Sequence, residues 1–348
     1  MSVIIITGSC GLVGSEATNF FIKKGFDVVG IDNNTRKKLF GKDGDITWIK
    51  QKLKSKYKNY YHFNIDVRNK FNLEKVYKKY KNKILLVIHC AAQPSHDWAY
   101  KNPRLDFEIN ALSTLNLLEL TKKYCPLSSF IFMSTNKVYG DNPNELSFYE
   151  TRTRFELKKK HQLFNGIDEN FSLDQSTHSL FGVSKTYSDL LVQEYGKNLG
   201  INTVSFRAGC ITGPSHSSAK LHGFLSYLVK NSVKNNYYQI IGYSGKQVRD
   251  NIHSFDLINC FWEYFKKPNK GEVYNIGGGR FSNCSILEAI NIVNKKLKTE
   301  IKLDYLKTPR KGDHKWYITN CTKFVKHYPK WKQLYNSEKI IGELILNI

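Results

Sequence analysis

The run Val3-Ile4-Ile5-Ile6-Thr7-Gly8-Ser9-Cys10-Gly11-Leu12-Val13-Gly14 decides the reading of the fold. Four β-branched apolar residues lead directly into three glycines at the spacing G-x-x-G-x-x-G. The stretch beyond them, residues 15–24, is amphipathic with helical spacing. A strand, a glycine turn and a helix in this order form a phosphate-binding crossover, a context that a lone glycine pattern lacks. Gly8 permits the tight turn, Gly11 lets the backbone approach a pyrophosphate, and Gly14 lets the helix lie close to the strand. Thr7 ends the strand. The N–H groups around Cys10, Leu12 and Val13 bring the positive end of the helix to the phosphates.

Outward from this run, β-rich segments at 27–32, 60–64, 85–89 and 129–134 alternate with amphipathic stretches at 72–81 and 103–124. Such alternation predicts an α/β chain: a Rossmann-type doubly wound parallel sheet with helices on both faces. The strand ends carry the remaining dinucleotide ligands. Asp32, followed by Asn33, accepts from both adenosine ribose hydroxyls and repels a 2′-phosphate, which selects NAD; Arg36 is the one residue nearby suited to that phosphate. Asp66-Val67 offers a carboxylate to the adenine amino group, or simply ends a strand in a turn. Ala91-Ala92-Gln93 supplies small residues where the cofactor crosses the sheet edge.

Residues 180–199 read as a long helix and 203–207 as another strand. Farther on, 221–234 and 285–297 read as helices, and 239–240, 272–276 and 300–303 as short strands. The expected division is an NAD-binding domain over 1–207, holding an irregular polar insertion at 144–174. A smaller α/β substrate-binding part over 208–348 is interleaved with it.

Composition narrows the function classes. The 348 residues can bury a large core without staples, and the seven scattered cysteines form no C-x-x-C pair. A reducing cytoplasm is expected, with neither zinc nor a disulfide framework. No apolar run is long enough for a membrane span, and the N-terminus lacks a basic leader. The net charge of +23 attracts anions, although the abundance of Lys, Asn, Ile, Tyr and Phe also fits a bias in coding composition. No nucleic-acid-binding motif accompanies the charge, so no specific nucleic-acid partner is expected. The histidines lack metal-ligand spacing.

The glycine loop, Ala91-Ala92-Gln93, Asn110, the run Ser134-Thr135-Asn136-Lys137-Val138-Tyr139-Gly140, Gly182-x-Ser184-Lys185 and Arg249-Asp250 together resemble the extended short-chain dehydrogenase/reductases. The resemblance is to their NAD-dependent epimerase/dehydratase family and covers nearly the whole chain. Within the family, the Ser134 run and Gly245-Lys246-Gln247-Val248-Arg249-Asp250 are most similar to the CDP-paratose 2-epimerase branch. The resemblance implies a homodimer through a four-helix interface. It also implies a nucleotide-diphosphate sugar as substrate, a CDP-sugar being favoured. Tightly bound NAD would transiently oxidise one sugar carbon. Ser134, Asn110 and Lys185 would border the nicotinamide end, with Thr135 and Lys185 in the reaction itself. The candidates for the nucleotide or sugar are Gln93, Ser95, His96, Asn136, Lys137, His222, Gln247, Arg249, Arg280 and Arg310. Arg249 has the donor fork suited to a diphosphate; the other reading pairs it with Asp250 or Asp256.

One position departs from the family. The catalytic tyrosine, four residues before the lysine, is Phe181 here, and a phenyl ring neither accepts nor donates a proton. A subgroup with another base, a tyrosine replaced to trap substrate, and a protein that binds without turnover are the open readings. His178, three residues earlier, is the first candidate base, on the expectation that it shares a helix face with Phe181.

Overall fold

The computed structural model describes residues 2–216, 223–310 and 312–348. It separates into two compact units: Met1–Thr135 with Leu180–Arg207 and Ile258–Tyr274, and Asn136–Ser179 with Ala208–Leu257 and Asn275–Ile348.

The first unit is built on a seven-stranded sheet. Its strands are Val3–Thr7 (β1), Asp27–Ile31 (β2), Tyr60–Phe63 (β3), Ile84–His89 (β4), Ser129–Thr135 (β5), Asn202–Ala208 (β6) and Glu272–Ile276 (β7), in the order β7-β6-β5-β4-β1-β2-β3. β1 pairs in parallel with β2 and β4, β2 with β3, and β4 with β5. Every residue of β1 is buried, as a central strand covered on both faces requires. Strand order reverses between β1 and β4, so a crevice opens where Thr7 and His89 end their strands, the place where such sheets bind ligands. The helix Leu12–Lys23 leaves β1 through the glycine turn. Pro103–Phe107, a π-helical turn at Glu108–Leu112 and Ser113–Tyr124 follow one another directly, and Leu180–Lys197 packs beside them.

The chain passes from the first unit to the second after Arg207, but the units interleave more than once. Residues 258–274 join the first unit because their aromatic side chains complete its core. Phe261 stacks on Phe206 with centroids 5.4 Å apart, and Trp262 and Phe265 each lie 6.2 Å from Phe21. Residues 136–179, which contain the insertion, belong to the second unit. There Leu157 and Ile167 share a buried cluster with Val248, Trp316, Tyr317 and Ile318.

In the second unit Val248–His253 pairs antiparallel with Asn283–Ser285 and parallel with Cys210–Thr212 and Trp316–Tyr317. Tyr237–Ile241 and Lys302–Leu306 form a separate parallel pair. A second apolar cluster gathers Leu228 from helix Phe224–Asn235, Ile290 from Ile286–Leu297 and Ile341 from Ser337–Leu346. The helix expected at 221–234 is described only from Phe224, its first two positions lying outside the described residues.

Candidate active site

The glycine turn is shaped by close backbone approach. Gly8 has φ +66°, and a Cβ there would lie 2.8 Å from the Ala91 nitrogen. A Cβ on Gly14 would lie 2.1 Å from the Gly8 carbonyl oxygen, so only glycine lets the helix sit this close to the turn. Gly11 caps Leu12–Lys23 in an extended conformation without a side-chain cap, and no acidic residue occupies the first turn. The first-turn N–H groups of Leu12 and Val13 therefore meet no capping side chain and no repelling carboxylate. Asp32 follows β2; its carboxylate accepts from the Cys10 N–H at 3.0 Å and the Asn34 N–H at 2.9 Å. Burial raises its pKa, with those two bonds and the Lys50 charge opposing. Asn33 turns to Thr35, accepting from its N–H and its hydroxyl. The Arg36 guanidinium sits 4.9 Å from the Phe40 ring centroid, and burial lowers its pKa to about 10. Asp66 is gripped by the Arg68 guanidinium and accepts the Arg68 N–H; Val67 beside it is buried.

A polar chain locks the ends of β1 and β4. The Ala91 N–H donates to the Thr7 hydroxyl, which lies 2.7 Å from His89 Nδ1, and His89 Nε2 lies 3.1 Å from the Thr114 hydroxyl. Burial and the Lys185 charge push the His89 pKa down to about 3, so its ring is neutral. Thr7 thus fixes the strand ends. Ala92 is exposed at this edge. Gln93 is turned inward: its amide donates to Asp106 and to the Ser95 carbonyl, and its oxygen accepts the Ser95 N–H. Asn110, on the π-helical turn, closes the same network by donating to Asp106 and accepting from the Gln93 N–H. Every polar atom of the Gln93 amide group is therefore occupied in organising the loop, contrary to its expected place against substrate. Ser95 caps the helix His96–Lys101 by accepting from the Trp98 N–H.

Thr135 is the last residue of β5, and buried Ser134 precedes it. Lys185, one turn beyond Phe181 in the helix, donates to the Met133 carbonyl at 2.6 Å and lies 4.2 Å from the Phe132 ring centroid. Its ammonium group thus reaches the same end of β5 as Thr135, and burial lowers its pKa to about 8. Phe181 is buried, and the His96 ring meets it edge-on, 5.2 Å between centroids. His178 does not share a helix face with Phe181, because the helix starts at Leu180. Its Nε2 lies 2.7 Å from the Val138 carbonyl oxygen and its Nδ1 3.1 Å from that of Ser176. Both ring nitrogens of His178 thus point at backbone carbonyl oxygens.

The second unit assembles a different constellation. Arg249 pairs with Asp313, not with Asp250 or Asp256. Asp250 instead accepts the N–H groups of Gly279 and Thr319, and Asp256 those of Leu334 and Tyr335. Lys137 donates to the Gly312 carbonyl at 2.7 Å, with His314 Nδ1 at 3.4 Å, and His314 Nε2 lies 2.8 Å from the Gly140 carbonyl oxygen. Burial and then the Arg249 charge lower the Lys137 pKa to about 8. Burial raises the Asp313 carboxyl, but Arg249 and Lys137 outweigh it and the net shift is downward. Two cations and one carboxylate make a surplus of positive charge suited to an anion. Gln247 donates its amide to the Ile241 carbonyl, and Asn136 is buried beside Gly209. Arg280 is withdrawn from any ligand: its fork holds Glu156 and the Phe164 carbonyl and lies over the Phe164 ring. Arg310 is exposed, and His222 lies outside the described residues. Sequence reasoning missed Asp313, His314, Asp106 and His89, which have no motif of their own and are brought into place by distant segments.

Residues 4–277 match the NAD-dependent epimerase/dehydratase family. The chain belongs to that family. It is 31% identical to the CDP-paratose 2-epimerase of Salmonella typhi, over 92% of this chain and 91% of that protein. In fold it resembles the UDP-glucose 4-epimerase of Thermotoga maritima solved with UDP-glucose, at TM-score 0.78 and 21% identity, over 99% of this chain and 98% of that one. The Thermus thermophilus UDP-glucose 4-epimerase solved with NAD gives TM-score 0.78 at 20% identity, with the same coverage of both chains.

The residues present fit the family's dinucleotide. The cradle at Gly8, Gly11 and Gly14 is one that any Cβ would fill, the helix N-terminus above it is uncapped, and Asp32 stands at the end of the neighbouring strand. Among the described residues no group of three or more His, Cys, Asp or Glu could hold a metal ion, and no helix is long and apolar enough to cross a membrane.

Proposed function

We propose that this member of the NAD-dependent epimerase/dehydratase family is a nucleotide-sugar epimerase of the CDP-paratose 2-epimerase kind. The observation that carries the reading is the glycine cradle with Asp32 at one end of the crevice and Lys185 anchored at the end of β5 beside Thr135. Bound there, NAD supplies a reversible hydride acceptor. Leu12 and Val13 offer backbone N–H groups to its phosphates, the Cys10 N–H being held by Asp32, and Asp32 accepts from the adenosine ribose. Lys185 binds the nicotinamide ribose, and Thr135 donates to and orients the sugar hydroxyl that becomes a carbonyl. In the second unit, Arg249 and Lys137 form a site suited to a phosphate-type anion, with Asp313 keeping the guanidinium plane fixed. A CDP-sugar is the substrate class favoured by the likeness to the Salmonella enzyme. Elimination of water is disfavoured, since Asn136-Lys137 stands where a dehydratase needs an acidic pair.

Phe181 favours a second reading, a protein that binds NAD and nucleotide sugar without turnover. One experiment separates the two. Purified protein is incubated with CDP-paratose in deuterated solvent and followed by NMR. The epimer forms with protium at the inverted carbon, because the hydride returns from the cofactor. Absence of any epimer, or solvent deuterium at that carbon, rejects the proposed reaction.

The oligomer proposed is a homodimer. Val183, Tyr187 and Leu190 project from one stripe of Leu180–Lys197 with 52%, 40% and 48% exposure, beside Phe107 at 46% and Leu112 at 39%. A run of large apolar side chains on two neighbouring helices is what a subunit contact covers. The free cysteines suit a reducing cytoplasm.

A further inference from the structure

We propose that His96 performs the proton transfer that Phe181 cannot, an inference that rests on the epimerase reading above. The imidazole lies edge-on against the ring that stands in the tyrosine position, with centroids 5.2 Å apart and planes at 61°. The backbone segments that carry both side chains are tied to a single buried network. On one side, Ser95 caps the helix that His96 opens, and Gln93 holds Ser95 by accepting its N–H at 2.5 Å and donating to its carbonyl at 2.8 Å. Gln93 is in turn bonded to Asp106 at 2.7 Å. On the other side, the Ser184 hydroxyl is placed 2.6 Å from the same Asp106 and 3.0 Å from the Phe181 carbonyl. The Trp98 indole donates to the Leu39 carbonyl and holds the first turn of the histidine's helix. The meeting of His96 with Phe181 is therefore set by hydrogen bonds on both sides, the rigidity that proton transfer requires.

Other groups near the reaction are committed elsewhere. Both nitrogens of His178 face carbonyls, Lys185 donates to Met133, and burial pushes the Cys90 thiol up to about 12. His96 would take the proton of the sugar hydroxyl, and bound NAD⁺ would supply the acceptor for the hydride on the same carbon, so that the C–H and O–H bonds break as the C=O bond forms. Once the keto-sugar had turned, His96 would return the proton as bound NADH supplied the hydride to the other face. Redox state and protons balance over the cycle.

The test compares His96→Ala, His96→Gln, Phe181→Tyr and the double variant His96→Ala/Phe181→Tyr in CDP-paratose turnover, with NAD-dependent thermal shift as the folding control. Each His96 variant loses about 10²–10⁴-fold in kcat while KM and the NAD-dependent shift hold, the usual cost of removing a general base. Restoring the phenol in the double variant recovers turnover, which a merely structural histidine would not permit. Wild-type turnover in both His96 variants, or no rescue by Phe181→Tyr, overturns the assignment while leaving the epimerase reading intact. An inactive wild-type protein overturns both.

Discussion

The dinucleotide cradle of the first unit and the Lys137–Arg249–Asp313–His314 cluster of the second are both suited to anions, but they are built on opposite principles. The cradle is local. Seven consecutive residues, Gly8 to Gly14, supply it with backbone groups, and its specificity lies in what is missing, three Cβ atoms. The cluster is non-local. Its four side chains come from residues 137, 249 and 313–314, and Arg249 reaches Asp313 on a loop 64 positions away. A backbone site is insensitive to charge and intolerant of volume; a side-chain site is the reverse.

The largest effect that would break this contrast is steric. Gly14→Val places a branched side chain where even a Cβ would lie 2.1 Å from the Gly8 carbonyl oxygen, an atom that cannot swing away. Overpacking of this kind costs about 1–3 kcal/mol, or about a hundredfold in NAD affinity at the upper end. Calorimetric titration with NAD and urea unfolding measure both. Unchanged affinity would mean that the helix is free to retreat, and the cradle is not what the close approach implies.

In the cluster the matching change is Asp313→Ala. It leaves Arg249, whose side chain is 10% exposed, and Lys137 with uncompensated charge. Breaking a fully buried pair costs about 3–5 kcal/mol; Asp313 is 24% exposed, so about 2 kcal/mol is expected in urea unfolding. The cradle is untouched, and NAD affinity stays at the wild-type value. A loss of NAD binding without a loss of stability would invert the comparison.

The same contrast explains what the sequence made legible. Strands β1 to β5 are short apolar runs, and the observed ends differ from the expected ones by a residue or so. Val248–His253 was recognisable only as a motif, because Arg249, Asp250, Asn251 and His253 are all buried and their partners lie far along the chain. Asp250 is satisfied by Gly279 and Thr319, and His253 by Glu343. The polar stretch at 144–174 read as irregular, yet Glu156 within it is held by Arg280, Arg154 and the Trp316 indole. For the same reason Arg280 looked like a ligand-binding arginine, since an unpaired fork and a paired one are identical in sequence. The return of 258–274 to the first unit was not legible, because their aromatic side chains pack on residues far upstream. The glycine spacing needed no such partner and was readable at once.

The finest comparison, a difference between pH profiles, tests the electrostatics of both sites together. Lys185 and Lys137 each have a pKa lowered from 10.5 to about 8, Lys185 by burial and Lys137 by burial and then the Arg249 charge. A lysine that loses its proton more readily when folded holds fewer protons than the unfolded chain between about pH 8 and 10.5. Stability therefore rises with pH across that window, by at most about 1.4 kcal/mol per pH unit for each lysine. Below it both states are protonated and the whole cost of the buried charge is present. Urea midpoints measured through the window should show a shallower rise in Lys185→Met and in Lys137→Met than in the wild type. Arg249→Ala distinguishes the two sites: removing the neighbouring cation moves the Lys137 window upward and leaves that of Lys185 in place. Parallel profiles in all four proteins would mean that neither ammonium group is desolvated to the extent its surroundings imply, and the charge surplus assigned to the second unit would lose its physical basis.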